Sequence, residues 1–97
     1  MENSKIVQAE VLVKGLVQGV SFRAYTKRKA VSLELTGSVK NLSSGDVFVV
    51  AQGPRTRVFE LIKWLRNEGS PASEVTDVKV EWKDEFENQY RFTIELY

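Results

Sequence analysis

The chain has 97 residues, which suffice for one hydrophobic core and are too few for two. Hydrophobic residues make up 42% and charged residues 28%, an ordinary mixture for a folded domain. The chain contains no cysteine and no histidine, so disulfides, thiolate zinc sites, cysteine nucleophiles and histidine general bases are excluded. A catalyst built from this chain must therefore work by binding, positioning and fixed charge, or by carboxylates.

The net charge of +1 conceals an uneven distribution. Residues 1–66 carry 11 basic and 5 acidic side chains, whereas residues 67–97 carry 3 basic and 8 acidic ones. The basic part could attract an anionic ligand, although a mixed, solvated surface produces such a pattern more often.

The chain ends and the apolar runs carry no sign of export or of a membrane. Residues 1–5 are polar, and no apolar run reaches the length of a membrane span. We expect a cytoplasmic monomer in which residues 1–97 form a single domain and residues 1–5 are flexible. We expect no membrane partner and no nucleic-acid partner.

The first part of the chain predicts a strand, a glycine loop and a helix. Residues 6–14 alternate apolar and polar side chains, which is typical of a half-buried strand. Gly15 and Gly19 interrupt this alternation. From Phe22 onwards the apolar side chains recur at helical spacing, and Ser21 occupies the position of an N-cap.

The rest of the chain predicts two strands, a second helix and two further strands. The strand 46–52 is apolar on both faces, so we expect it at the centre of a sheet. Pro54 in the first turn and Gly69 at the end delimit the second helix. The predicted strands are, in chain order, residues 36–42, 46–52, 75–83 and 90–97.

The element order βαββαββ predicts an α+β fold: a ferredoxin-like βαββαβ sandwich with an additional C-terminal strand. We expect an antiparallel sheet covered by two helices on one face. In such a fold the first two strands run parallel with the third between them, so both end at the same edge of the sheet. Segments 15–23 and 38–42 are therefore expected to be neighbours.

That edge has the features of an anion-binding site. A glycine loop leading into a helix N-terminus directs backbone N–H groups and the helix dipole at one point. Arg23 could add a guanidinium fork for phosphate oxygens, and Asn41 could hold a water. Alternatively, the glycines only shape a turn and both side chains are solvated. The spacing matches neither the P-loop nor the GxGxxG dinucleotide motif.

Residues 13–23, VKGLVQGVSFR, resemble the sequence signature of the acylphosphatase family. Residues 37–47, GSVKNLSSGDV, are similar to that family's second signature, which ends in Gly53. The resemblance extends over nearly the whole chain from about residue 7. It implies the fold predicted above and an enzyme that hydrolyses acyl phosphates to a carboxylate and phosphate.

The resemblance also implies the site residues. Arg23 would bind the phosphoryl group, and Asn41 would orient the attacking water. No metal or cofactor is implied, and the partners would be a small acyl phosphate and inorganic phosphate, as product and competitive inhibitor. The phosphate-binding loop would comprise Gly15, Leu16, Val17, Gln18, Gly19, Val20 and Ser21.

Three positions depart from the family pattern. Ser38 stands where an aromatic residue is usual, and we expect that aromatic to pack beside the site, so that its loss reduces affinity or rigidity. Glu34 stands where a glycine usually ends the first helix, and Ser70 replaces a proline. None of these changes removes Arg23 or Asn41.

Two other functions are compatible with the fold. An RNA-binding module would stack bases on aromatic side chains of the two central strands, but the first strand has none and the third has only Phe48. A non-catalytic anion-binding or regulatory domain of ferredoxin-like type is the alternative that the sequence leaves open.

Overall fold

The computed structural model describes residues 5–96. The prediction of a flexible segment falls mainly on residues 1–4, and the last predicted strand includes Tyr97; both lie outside the described residues. The described residues form five strands and two helices in the predicted order. These are β1 (Ile6–Leu16), α1 (Phe22–Ser32), β2 (Thr36–Asn41), β3 (Val47–Pro54), α2 (Arg55–Asn67), β4 (Glu74–Lys83) and β5 (Phe92–Glu95).

The five strands make one sheet in the order β4-β1-β3-β2-β5. β3 is central, as its two apolar faces predicted, and it separates β1 from β2. The expectation of an antiparallel sheet is wrong at one edge, because β5 pairs with β2 in parallel. Residues 84–91 carry the chain from β4 to the opposite edge at the end where β2 begins, so β5 must run in the same direction as β2.

Two strand boundaries differ from the prediction. β1 continues past residue 14, because Gly15 and Leu16 still pair with β4 across a register shift. Gly15 has a φ of 127°, and a Cβ there would collide with the carbonyl of Glu74, so the bulge requires glycine. β5 is only four residues long instead of the predicted 90–97, and Tyr90 is exposed in the connection before it.

The hydrophobic core lies between one face of the sheet and both helices, as predicted. α1 packs on β2 and β5, whereas α2 packs on β1, β3 and β4. Neither helix in residues 5–96 is long and apolar enough to cross a membrane. The fully buried side chains of the core include Val11, Val13, Phe22, Val39, Val47, Val49, Val58, Leu61 and Leu65.

The second residue after α1, Glu34, is strained. Glu34 has a φ of 59°, a left-handed conformation that costs a residue with a Cβ about 1 kcal/mol. Its carboxylate lies 2.8 Å from Nη1 of Arg57, but the Glu34 side chain is 77% exposed, so this ion pair adds at most about 1 kcal/mol and usually less.

We therefore expect Glu34→Gly to raise the melting temperature by a few degrees, because glycine adopts this conformation without strain. Glu34→Ala is the matched control, since it removes the ion pair and keeps the Cβ. It should leave the melting temperature unchanged or lower it slightly. Thermal unfolding followed by circular dichroism measures both, and equal melting temperatures for the glycine and alanine variants would contradict the explanation.

Candidate anion-binding site

The C-terminal ends of β1 and β2 lie on the same side of the sheet, on either side of β3, where the loop 17–21 leads into α1. A cavity of about 190 Å³ opens between these segments. The structure thus brings the glycine loop, Arg23 and Asn41 together, although 18 positions separate the two side chains in the chain. The residues that line the cavity are Val17, Gly19, Ser21, Phe22, Arg23, Ala24, Asn41 and Ile94.

Two residues of the loop adopt left-handed conformations, Gly19 with a φ of 74° and Ser21 with a φ of 59°. The Ser21 carbonyl accepts a hydrogen bond from the Tyr25 N–H at 3.1 Å and so begins α1. Ser21 therefore occupies the predicted N-cap position, but its side chain makes no capping hydrogen bond. Within residues 5–96, the N–H groups of residues 17–21 donate to no other backbone group, which leaves them available to an anion.

Arg23 lies in the first turn of α1 and is half-buried. Its Nη1 donates a hydrogen bond to the carbonyl oxygen of Glu95, at the end of β5, over 3.2 Å. A cation at a helix N-terminus opposes the helix dipole, so this position favours binding of an anion between the guanidinium and the loop. The sequence does not predict the contact with Glu95, because every residue has a backbone carbonyl and this one lies 72 positions away in the chain.

Asn41 is the last residue of β2 and is one of the residues that line the cavity. Its Oδ1 is buried and has no hydrogen-bond partner among the described residues. A buried acceptor without a donor costs about 1–3 kcal/mol, a penalty that a water hydrogen-bonded to Oδ1 would remove.

The predicted loop residues have different roles. Gly15 and Leu16 belong to β1 and do not line the cavity. Val17 is 1% exposed and Val20 packs against the core, so these two side chains anchor the loop. The side chain of Gln18 points to the turn between β2 and β3, where it donates to two carbonyl groups.

The two remaining departures from the family pattern have structural explanations. Ser70 is 1% exposed, and its hydroxyl donates to the carbonyl of Val20 at 2.9 Å. This hydrogen bond connects the loop 17–21 to the segment that follows α2. Ser38 pairs with Val50 and lies on the same face of β2 as Lys40, opposite to Val39 and Asn41. The expectation that position 38 lies beside the site is therefore wrong, because alternation directs it to the other face of the sheet.

A larger cavity of about 440 Å³ lies elsewhere, between α2 and β4. Its polar lining has mixed charge, and Lys63 Nζ is 3.9 Å from the Glu60 carboxylate. It contains neither a loop with free N–H groups nor an unpartnered buried polar atom among the described residues. The smaller cavity is therefore the candidate site.

The fold is that of a ferredoxin-like α+β protein, and the smaller cavity is its candidate anion-binding site. The acylphosphatase family model matches residues 9–94 of this chain. A relative named acylphosphatase, from Caldivirga maquilingensis, is 51% identical over 76 residues, which are 77% of this chain and 79% of that protein.

Two solved structures agree with this match. The crystal structure of acylphosphatase from Bacillus subtilis is similar with a TM-score of 0.88 and 37% identity, over 92% of this chain and 98% of that one. A structure of an acylphosphatase from Coxiella burnetii gives a TM-score of 0.89 and 40% identity, over 98% of this chain and 100% of that one. The chain belongs to the acylphosphatase family. The family and the enzyme class that residues 13–23 and 37–47 predicted are confirmed.

Proposed function

We propose that this chain hydrolyses acyl phosphates at the cavity between the loop 17–21, Arg23 and Asn41. The observation that carries the proposal is that Asn41, whose Oδ1 is buried and unpartnered, lines the same cavity as residues of the loop whose N–H groups donate to no backbone carbonyl. The loop and Arg23 provide donors for the oxygens of a phosphoryl group, and Asn41 provides an acceptor for a water.

The phosphoryl group would be bound by fixed donors. The N–H groups of the loop and the free guanidinium donors of Arg23 point at its oxygens, and the N-terminal end of α1 adds a favourable field. These donors stabilise the charge that spreads over the phosphoryl oxygens in the transition state. Family membership supports the assignment of this task to Arg23.

The attacking water would be held by Asn41. Its Oδ1 accepts one hydrogen of the water and so aims the water oxygen at phosphorus, in line with the bond that breaks. A new P–O bond forms, the acyl C–O–P bridge breaks at phosphorus, and its electron pair leaves on the carboxylate. The water gives up a proton to solvent or to a phosphate oxygen, and the products are a carboxylate and inorganic phosphate.

This reaction suits a site without histidine. A carboxylate is a weakly basic leaving group, so it departs without a general acid, whereas the alkoxide of a phosphate ester needs a proton or a metal ion. The proposed substrate class is therefore small acyl phosphates, and no cofactor has a part in the proposed mechanism.

We also propose a single-domain, monomeric protein located in the cytoplasm, without a nucleic-acid partner. The face of the sheet opposite to the helices supports the absence of a nucleic-acid partner. The aromatic side chain of β3 on this face is Phe48, and Lys40 Nζ lies 5.9 Å from the centre of its ring. Bases would find no second aromatic platform on β1.

The proposal is tested by phosphate release from acetyl phosphate in the presence of EDTA. We expect hydrolysis at the same rate with and without EDTA. Added inorganic phosphate should inhibit competitively, because substrate and product share the phosphoryl oxygens that the loop binds. A rate that is unaffected by phosphate at many times the substrate concentration would contradict the assignment of the loop. Loss of activity with EDTA would contradict a metal-free mechanism.

A further inference from the structure

We propose that the side chain of Gln18 is a positioning residue that sets the distance between the phosphate-binding loop and Asn41. This inference rests on the proposed function. It assigns to Gln18 a task that is separate from the backbone N–H groups of the loop.

The contacts of Gln18 connect the two halves of the site. Its Nε2 donates to the carbonyl oxygens of Leu42 at 2.7 Å and of Asp46 at 2.8 Å. Both hydrogens of the amide are used in this way. Leu42 directly follows Asn41, and Asp46 closes the same turn, so the loop is fastened to the residues that carry Asn41.

These hydrogen bonds matter more for position than for stability. The Leu42 carbonyl also accepts from the Gly45 N–H at 3.1 Å, and the Asp46 carbonyl accepts from the Leu42 N–H at 2.9 Å. Neither carbonyl is left without a donor when the amide of Gln18 is removed, so the turn should keep its shape. What is lost is the connection between the turn and the loop.

Gly19 explains why such a connection is needed. Apart from its two chain neighbours, no atom lies within 4 Å of the position that a Cβ at Gly19 would take, so no other part of the protein packs against the loop at this point. Val17 and Val20 fix the ends of the loop in the core, and Gln18 is the side chain between them. In-line attack depends on the separation of the phosphorus from the water on Asn41, and an error of about 1 Å can cost about 100-fold in rate.

A second connection to the same turn provides a matched control. Lys14 Nζ lies 2.9 Å from Oδ2 of Asp46, and this contact holds the pKa of Asp46 below its usual value. Lys14 belongs to β1, before the loop begins, and does not line the cavity. Lys14→Met therefore removes one contact to the turn without releasing the loop.

The experiment uses the full chain with acetyl phosphate as substrate and inorganic phosphate as inhibitor. Gln18→Met keeps the length of the side chain and removes both hydrogen bonds. We expect its kcat to fall about 10- to 100-fold, while the inhibition constant for phosphate changes less than about threefold. Gln18→Asn is one methylene shorter and should lose kcat in the same way. Lys14→Met should keep kcat within about twofold of the unmodified chain, and circular dichroism should give all variants the same fold.

A double-variant cycle separates positioning from general loosening. If Gln18 acts by placing the loop relative to Asn41, Gln18→Met should have little further effect on kcat once Asn41→Ala is present. Fully multiplicative losses would overturn the inference. It would also be overturned by a Gln18→Met kcat within twofold of the unmodified chain, or by phosphate binding that weakens as much as kcat.

The two proposals fail in different ways. If unmodified protein does not hydrolyse acetyl phosphate, or if phosphate does not compete, the proposed function is wrong. If hydrolysis and competition are observed but the Gln18 variants behave like Lys14→Met, only the positioning role is wrong.

Discussion

Asn41→Ala should lose about 100-fold or more in kcat and still bind inorganic phosphate with nearly unchanged affinity. In the proposed mechanism Oδ1 of Asn41 holds the water and does not contact the phosphoryl group, so its removal should destabilise the transition state and leave ground-state binding intact. Asn41 is not among the buried residues of the hydrophobic core, so the variant should still fold.

Steady-state kinetics and a phosphate titration, with circular dichroism as a check of the fold, measure these effects. Lys40→Ala is the matched control, because Lys40 precedes Asn41 on the same strand and faces the opposite side of the sheet. It should leave kcat within about twofold. If Asn41→Ala kept most of its turnover, another group would hold the water and the proposed mechanism would fail, whatever the family.

Arg23→Ala should damage both binding and turnover. In the proposed mechanism the guanidinium contacts the phosphoryl oxygens before and during the reaction, so we expect the inhibition constant for phosphate to rise and kcat/KM to fall by about 100-fold or more. Arg23→Lys should recover only part of the loss. A lysine keeps the charge but lacks the planar fork that donates to two oxygens and to the Glu95 carbonyl at once.

The stability of Arg23→Ala distinguishes a functional charge from a structural one. Removing a cation from a helix N-terminus relieves about 0.3–1 kcal/mol of unfavourable interaction, which offsets the lost hydrogen bond to Glu95. The melting temperature should therefore stay close to that of the unmodified protein. Lys27→Ala, one turn further along α1 and exposed, serves as the charge-matched control and should keep full phosphate affinity. Unchanged phosphate binding in Arg23→Ala would contradict the assignment.

The meeting of the loop with Asn41 was predictable because it depends on topology. With 46–52 as the central strand, the chain order alone requires β1 and β2 to end on the same side of the sheet. The position of Ser38 could also have been predicted. It lies three residues before Asn41 in the same strand, so alternation alone puts the two side chains on opposite faces.

The contacts that hold the site together were not predictable. The Ser70 hydroxyl and the Gln18 amide both bind carbonyl groups far away in the chain, and carbonyl groups are the same at every residue. The parallel pairing and short length of β5 follow from the path of residues 84–91, whose polar sequence indicates a connection without giving its destination. The periodicity of apolar residues therefore predicts the helices and strands. The position and direction of β5 at the edge of the sheet depend on tertiary structure.

The strand order also determines when the site can come into existence during folding. In the order β4-β1-β3-β2-β5, only β2 and β3 are neighbours both in the chain and in the sheet. The other pairings close long stretches of chain before any contact compensates for the lost entropy, which slows folding relative to helical proteins of the same size. The partner of Arg23 lies 72 positions away at the end of β5, so the guanidinium is fixed only after the C-terminal strand has paired. When Asn41 has left the ribosome, the chain already carries the glycine loop, Arg23 and Asn41. Ile94, which completes the cavity wall, and the Glu95 carbonyl, which orients Arg23, are added only with the last strand.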